Sequence, residues 1–220
     1  MFDDFKHVAD VTTFLPEDLL LLCASPEHEG RIRTPTYLAY ALGGAVLAEL
    51  VLAGAVGIDG KRAHLVQPGM AFRHPALTAA LASLPPAAPK PRGASLSSCV
   101  SALRHRVAGP YLDSLTAYGL LRADQVRVLG IFPRTRHTLT DPSARASRVA
   151  RIDSVLASPS AASPRDRYLT TLAATAGLTN HLRPTRPDRP TRRLLTDLTR
   201  ADPLSSAVAS AISAAQSSSS

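Results

Sequence analysis

Hydrophobic positions fall in blocks punctuated by proline and glycine. Leu15-Pro16-Glu17-Asp18 opens the first block and Leu19 to Leu22 continue it. Proline and acids in a first turn suit the positive end of a helix dipole, so a helix is predicted from Leu15 to about Ser25-Pro26. A polar turn with Gly30 follows, and Thr34-Pro35-Thr36 reads as the cap of a second helix over 37–53. Residues 37–58 are apolar all round apart from Glu49. That length approaches the ~20 residues of a membrane span. Glu49 and four glycines instead favour a helix buried in a core.

Asp59-Gly60 between apolar segments is a strong hairpin signal, with strands at 56–58 and 63–66. Residues 75–84 read as a short helix and 85–93 as a Pro-rich loop. A helix is predicted over 96–118, bent or broken at Gly109-Pro110 and capped by Gly119. Strands at 126–132 and 134–139 form a second hairpin. Further helices are predicted over 142–156, 165–182, 191–200 and 204–215. The run Leu50-Val51-Leu52-Ala53-Gly54-Ala55-Val56 is echoed by Leu115-Thr116-Ala117-Tyr118-Gly119-Leu120-Leu121. Each is a helix, a glycine cap, two apolar residues and a hairpin, the local pattern of a winged helix.

Composition fits this outline. The chain has 220 residues, 45% of them hydrophobic, enough for one good-sized core and too many for a disordered chain. Its net charge is +8, unevenly spread: residues 1–60 hold 3 cations and 9 anions, whereas 121–220 hold 15 and 7. Such asymmetry points to an anionic partner for one face or tail. Cys23 and Cys99 are too few for a disulfide framework or zinc site and read as reduced structural thiols. The acidic start, MFDDFKHVAD, lacks the features of a secretory leader.

No phosphate-binding glycine loop, nucleophile elbow or zinc-protease motif occurs, and the seven histidines never fall at metal-ligand spacing. Glu49 reads either as a buried, paired carboxylate or as a solvated position. Four arginine groups stand out: Arg31 with Arg33 beside a turn; Arg104-His105-Arg106 before Gly109-Pro110; Arg134 and Arg136 with His137 on the second hairpin; and Arg145, Arg148 and Arg151 at threefold spacing, read as a solvated helix face. Arginine offers a planar fork for phosphate. Phe132 and Ile131 put an apolar wedge beside the hairpin arginines, a combination suited to a phospholipid surface. The alternative is a solvated hairpin with Phe132 packed inward.

The segment 15–22, then Glu29-Gly30, then Ala41-Leu42-Gly43-Gly44-Ala45-Val46-Leu47-Ala48-Glu49-Leu50-Val51-Leu52-Ala53-Gly54, resembles the Golgi phosphoprotein 3 family. Leu103-Arg104, Tyr118-Gly119-Leu120-Leu121, Val128-Leu129-Gly130-Ile131-Phe132-Pro133 and Asp141-Pro142 are similar to that family's second half, in its bacterial, especially actinobacterial, branch. The resemblance spans roughly residues 13–182. It implies a non-enzymatic, mostly α-helical domain. Eukaryotic members bind phosphatidylinositol 4-phosphate and hold glycosyltransferases at the Golgi. Their headgroup pocket uses a Trp, an arginine in the apolar helix and two in an L-R-x-x-R-x-R helix. This chain has no Trp, and the helix arginine falls on Gly43. Arg104 matches the L-R step, and Arg106 serves as the second only with a small shift. Arg134 and Arg136 match the family's membrane-contacting hairpin.

The expectation is a mostly α, single globular domain of helices packed around a buried apolar helix, with two short β-hairpins. Its divisions are a family-like domain at 13–182, a Pro/Arg loop with C-terminal helices at 183–215, and a disordered serine tail at 216–220. The expected function is peripheral binding of anionic phospholipid headgroups of the phosphatidylinositol 4-phosphate type, on the inner, cytoplasmic face of a membrane. Arg104, Arg106, Arg134 and Arg136 would hold phosphate; Phe132 and Ile131 would touch the membrane. Membrane-protein clients and self-association through the second hairpin are further expected partners. No enzyme activity, cofactor or metal is expected. The alternative is a winged-helix-like nucleic-acid-binding protein, to which the basic charge and the two helix–hairpin units point.

Overall fold

Five helix starts share one device. Asp141, Ser163, Asp188 and Asp202 each accept a backbone N–H from the following first turn at 2.8–3.1 Å, and the His74 ring nitrogen accepts one at 3.2 Å. In each case proline stands in that turn, where its missing N–H costs nothing. The computed structural model describes residues 13–84, 93–105, 107–128, 132–180, 182 and 186–217. Among them are nine α-helices: α1 (Leu15–Leu22), α2 (Leu38–Leu52), α3 (Pro75–Ser83), α4 (Leu96–Leu103), α5 (Ala108–Ala117), α6 (Pro142–Ala157), α7 (Pro164–Thr175), α8 (Arg189–Ala201) and α9 (Pro203–Ser217). The fold is mostly helical, with small antiparallel sheets.

One sheet has the order β1 (Ala24–Ser25), β2 (Arg31–Ile32), β7 (Phe132–Leu139), β6 (Leu121–Val128). The other has the order β3 (Val56–Asp59), β4 (Arg62–Leu65), β5 (Ala94–Ser95). The first hairpin forms as expected, in the register Val56↔Leu65 to Asp59↔Arg62. The second is not short. Each strand has eight residues, paired from Leu121↔Leu139 to Val128↔Phe132. The two helix–hairpin echoes share a geometry. Ala55 N–H bonds Leu50 O and Gly54 N–H bonds Val51 O; Leu120 N–H bonds Leu115 O and Gly119 N–H bonds Thr116 O, all at 2.9–3.0 Å. Gly54 and Gly119 take φ of +75° and +72°, as this helix-ending motif requires.

α2 packs against α1, α3, α4, α7 and α9, and most of its residues are buried. Its two adjacent glycines let neighbours approach. A Cβ on Gly43 would lie 2.8 Å from Val100 O and 3.1 Å from Arg104 N on the α4 side. One on Gly44 would meet Val208 of α9 and Leu172 of α7. The helix predicted over 96–118 is broken earlier than expected. α4 ends at Leu103 and α5 begins at Ala108, which puts Gly109 and Pro110 inside α5's first turn, where proline is tolerated. The helix expected over 165–182 stops at Thr175, where Gly177 (φ +74°) follows. α9 runs two residues beyond its predicted end, to Ser217, and α8 and α9 pack on α7 and on each other. Residues 85–92 of the Pro-rich loop and 218–220 lie outside the described residues.

The expected solvated face of α6 is corrected by the structure. Arg148 is 8% exposed, and its Nε donates to Asp18 Oδ1 at 2.9 Å. Its Nη2 donates to Thr13 Oγ1 at 2.7 Å, and that hydroxyl donates to Asp18 Oδ1 at 2.5 Å. Arg151 bridges Asp18 Oδ2 at 2.7 Å and Asp166 Oδ1 at 2.6 Å. Glu49 takes the buried, paired reading. It accepts from Leu15 N–H at 2.6 Å and from both terminal nitrogens of Arg165, at 2.8 and 2.7 Å. Asp18 and Glu49 are thus clamps that hold α1 and α2 to α6 and α7. A buried charge is tolerated only with partners of this quality.

Candidate functional site

The β6–β7 hairpin is built by alternation. Successive side chains point to opposite faces. Leu121 and Leu139 pair at its base and turn toward the core, Leu121 fully buried. Phe132, Arg134 and Arg136 therefore share the other face, with Val126 opposite Arg134 and Asp124 opposite Arg136. β2 pairs with β7 only at Arg31↔Thr138. Beyond that pairing the hairpin is a two-stranded ribbon, reaching about 20 Å from Thr138 to Phe132 at ~3.3 Å per residue. Phe132 is 61% exposed, so it projects rather than packing inward. Arg134 is exposed and Arg136 half-buried.

Arg122 and Arg127 add to the same hairpin, and the sequence reading passed over both. Arg122 Nε bonds Asp124 Oδ2 at 3.0 Å, an exposed contact of little energetic weight. The signal for them was available: alternation puts Arg122 on the same face as Arg134 and Arg136 once the strand is extended back to Leu121. Ile131 lies outside the described residues, as does Arg106.

Arg104 stands apart from the hairpin arginines, at the seam of α4 and α2. It caps α4, and its guanidinium stacks on Tyr40 of α2, 4.7 Å from the ring centroid. Its Nε is buried without a hydrogen bond. The site thus comes in two parts: Arg134 and Arg136 together on one strand face, and Arg104 over an aromatic ring. Tyr40 escaped the sequence reading because it is one of several apolar positions in a helix apolar all round. At the small β1–β2 turn, Arg33 Nη1 donates to His28 Nε2 at 3.2 Å, and His28 Nδ1 lies 3.0 Å from Ser25 Oγ.

Among the described residues, the interior also brings Glu17 close to His74. Glu17 is fully buried; its Oε2 accepts from Phe14 N–H at 2.8 Å, while Oε1 lies 3.9 Å from His74 Nε2 without a hydrogen bond. Burial raises the Glu17 pKa above its ordinary 4.5 and lowers that of His74 below 6.5. Both shifts favour the neutral forms, so burial works against a charged pair at this contact. Stability contributed by Glu17 is present below about pH 4.5 and lost as pH rises through its raised folded value. Glu17→Gln keeps the acceptor for Phe14 and removes the charge. It is expected to raise the urea midpoint at pH 7.5 and leave it unchanged at pH 4. Equal effects at both values would refute this account.

Among the described residues, no group of three His, Cys, Asp or Glu is placed to hold a metal, and no helix is long and apolar enough to cross a membrane. Cys23 and Cys99 are buried and unjoined, and burial pushes the Cys23 thiol up to about 12. The family model for Golgi phosphoprotein 3 (GPP34) matches residues 15–215. The chain belongs to the Golgi phosphoprotein 3 family. A search of curated proteins finds no match. The family match runs from the start of α1 almost to the end of α9, so it takes in α8 and α9 as well as the hairpin. The Golgi phosphoprotein 3 family is not known as a family of enzymes, in keeping with Glu49 and Asp18 serving as structural clamps.

Proposed function

We propose that this Golgi phosphoprotein 3 family member is a non-enzymatic peripheral membrane protein that holds anionic phospholipid surfaces, with the β6–β7 hairpin as its contact. One observation carries the reading: an exposed phenylalanine at the far end of a projecting ribbon, with Arg134 and Arg136 on the same face. The ring enters the interfacial region and the arginines meet phosphates, at about 1 kcal/mol per basic residue. Such a contact suits the anionic inner leaflet on the cytoplasmic side. Arg104 on Tyr40 is the candidate for a headgroup contact of the phosphatidylinositol 4-phosphate type. Gly43 packs against the α4 backbone where the family places an arginine, so general anionic binding is the better-supported form. An adaptor role toward membrane proteins and self-association through the hairpin extend the same reading. Nucleic acid is the weaker partner, because α2, the helix preceding the first hairpin, is largely buried and cannot enter a groove.

Co-sedimentation with neutral, phosphatidylserine-containing and phosphatidylinositol 4-phosphate-doped vesicles tests this. Both anionic kinds are expected to bind the chain, less strongly as salt rises. Arg134→Gln with Arg136→Gln is expected to weaken binding about 30-fold, from two lost contributions of ~1 kcal/mol. Undiminished binding by the double variant would reject the hairpin as the contact. Retardation of random duplex DNA without any vesicle binding would move the function to nucleic acid.

A further inference from the structure

The C-terminal half carries a second basic surface, unconnected to the hairpin. Residues 186–201 hold five arginines and two aspartates. α8 turns Leu195, 6% exposed, into the protein, and presents Arg192, Thr196 and Arg200 at its surface. These side chains recur at four-residue spacing, so they lie along one face of the helix. That face borders a groove of about 510 Å³ between α8, α9 and the C-terminal end of α7. Leu195, Ala174 of α7 and Ile212 of α9 form part of its floor, Leu195 and Ile212 each less than a tenth exposed, and Arg192 and Arg200 line it from α8 two turns apart. Eight residues of helix separate the two arginines by about 12 Å. Asp188, which caps α8, lies near Arg192, where Arg189 and Arg193 outweigh it.

We propose that this groove docks an acidic, amphipathic helix of a partner protein, with Arg192 and Arg200 each holding a carboxylate and Leu195 and Ile212 receiving the apolar residue between them. Two acids seven residues apart on a helix are separated by about 10.5 Å, close to the spacing of the arginines. An apolar residue three or four positions after the first acid falls between them on the same face. The charge pattern selects this occupant. A nucleic-acid backbone repeats its charges without an apolar stripe, and a flat bilayer does not enter a recess. Arginine also matches a carboxylate in bidentate geometry.

The test uses the full chain and a fluorescein-labelled helical peptide of about four turns, or ~14 residues. It carries two Glu seven apart, with Leu at the third and fourth positions after the first. Fluorescence anisotropy at low salt is expected to show saturable binding. Arg192→Gln with Arg200→Gln is expected to weaken it at least about tenfold, as for rim charges at a complementary interface. Thr196→Trp, a large ring at an exposed groove position, is expected to block it. Both changes are at the surface, and circular dichroism checks that helix content is kept. A peptide with Gln for both Glu, or Ser for both Leu, is expected to lose binding to the unaltered chain, a result that no misfolded variant can imitate. The proposal fails if the peptide does not bind, if the variants bind it as well, or if random duplex DNA or phosphatidylserine vesicles occupy the groove more tightly.

Discussion

Asp18→Asn is expected to remove about 3–5 kcal/mol of stability, the usual cost of stripping one partner from a buried ion pair. That is a large share of the 5–15 kcal/mol by which domains are ordinarily stable. Arg148 would stay buried without a carboxylate beside it, its other bonds going to Thr13 Oγ1, Ala144 O and Ser147 Oγ, and Arg151 would keep only Asp166 as an ion-pair partner. Urea unfolding followed by far-ultraviolet circular dichroism measures the loss. Arg151→Gln serves as the comparison. Its side chain is 30% exposed and water replaces part of what it loses, so the cost is smaller. Equal midpoints for Asp18→Asn and the unaltered chain would mean that the clamp contributes nothing.

Gly43→Arg installs the residue the family places in its lipid pocket, and is expected to destabilise this chain rather than complete a pocket. The new Cβ meets the α4 backbone at Val100 and Arg104, which cannot rotate away. Overpacking of this kind costs about 1–3 kcal/mol. In a chain of this size that lowers Tm by roughly 2–12 °C. Gly44→Ala is the comparison for side-chain crowding, because its Cβ meets side chains rather than backbone, Val208 Cγ2 at 2.5 Å, Leu172 at 3.0 Å and Leu204 at 3.5 Å. Differential scanning calorimetry compares the two, and vesicle binding to phosphatidylinositol 4-phosphate reads the pocket. A variant with unchanged Tm and stronger headgroup binding would show that α4 yields to a side chain at position 43.

What the sequence disclosed, and what it withheld, follows from range. Caps, glycine-ended helices and the Asp59-Gly60 turn are local chemistry, and they placed α1, α2, α3, α6 and the first hairpin. α2 was legible as a central helix because no polar stripe marks any face of it. The role of Arg148 was not legible. Threefold spacing looks the same on a solvated face and a buried one, and its partner Asp18 lies 130 residues away. Pro110 misled for a related reason: it breaks a helix interior yet fits a first turn, and only tertiary packing decides which occurs. The second hairpin was read as strands 126–132 and 134–139 turning near Pro133, whereas Phe132 and Pro133 open β7 and pair with Val128 and Arg127; residues 121–125 were missed because Ala123-Asp124-Gln125 has little β propensity and is held by pairing with β7. The hairpin arginines and Phe132 stood out as neighbours in sequence on a hairpin, whereas their shared face on β7, and Tyr40 under Arg104, required the observed register and the packing of α2 on α4.

The clamps also set an order of events during synthesis. Asp18 and Glu49 emerge from the ribosome early, and their partners Arg148, Arg151 and Arg165 follow 116–133 residues later. At about 5–20 residues per second, the amino-terminal half waits roughly 6–27 s before its carboxylates can be neutralised. Through that interval α1 and α2 cannot close on each other without burying bare charge. Until α6 and α7 arrive, closing the most apolar helix onto α1 therefore carries a desolvation cost that the finished fold does not have.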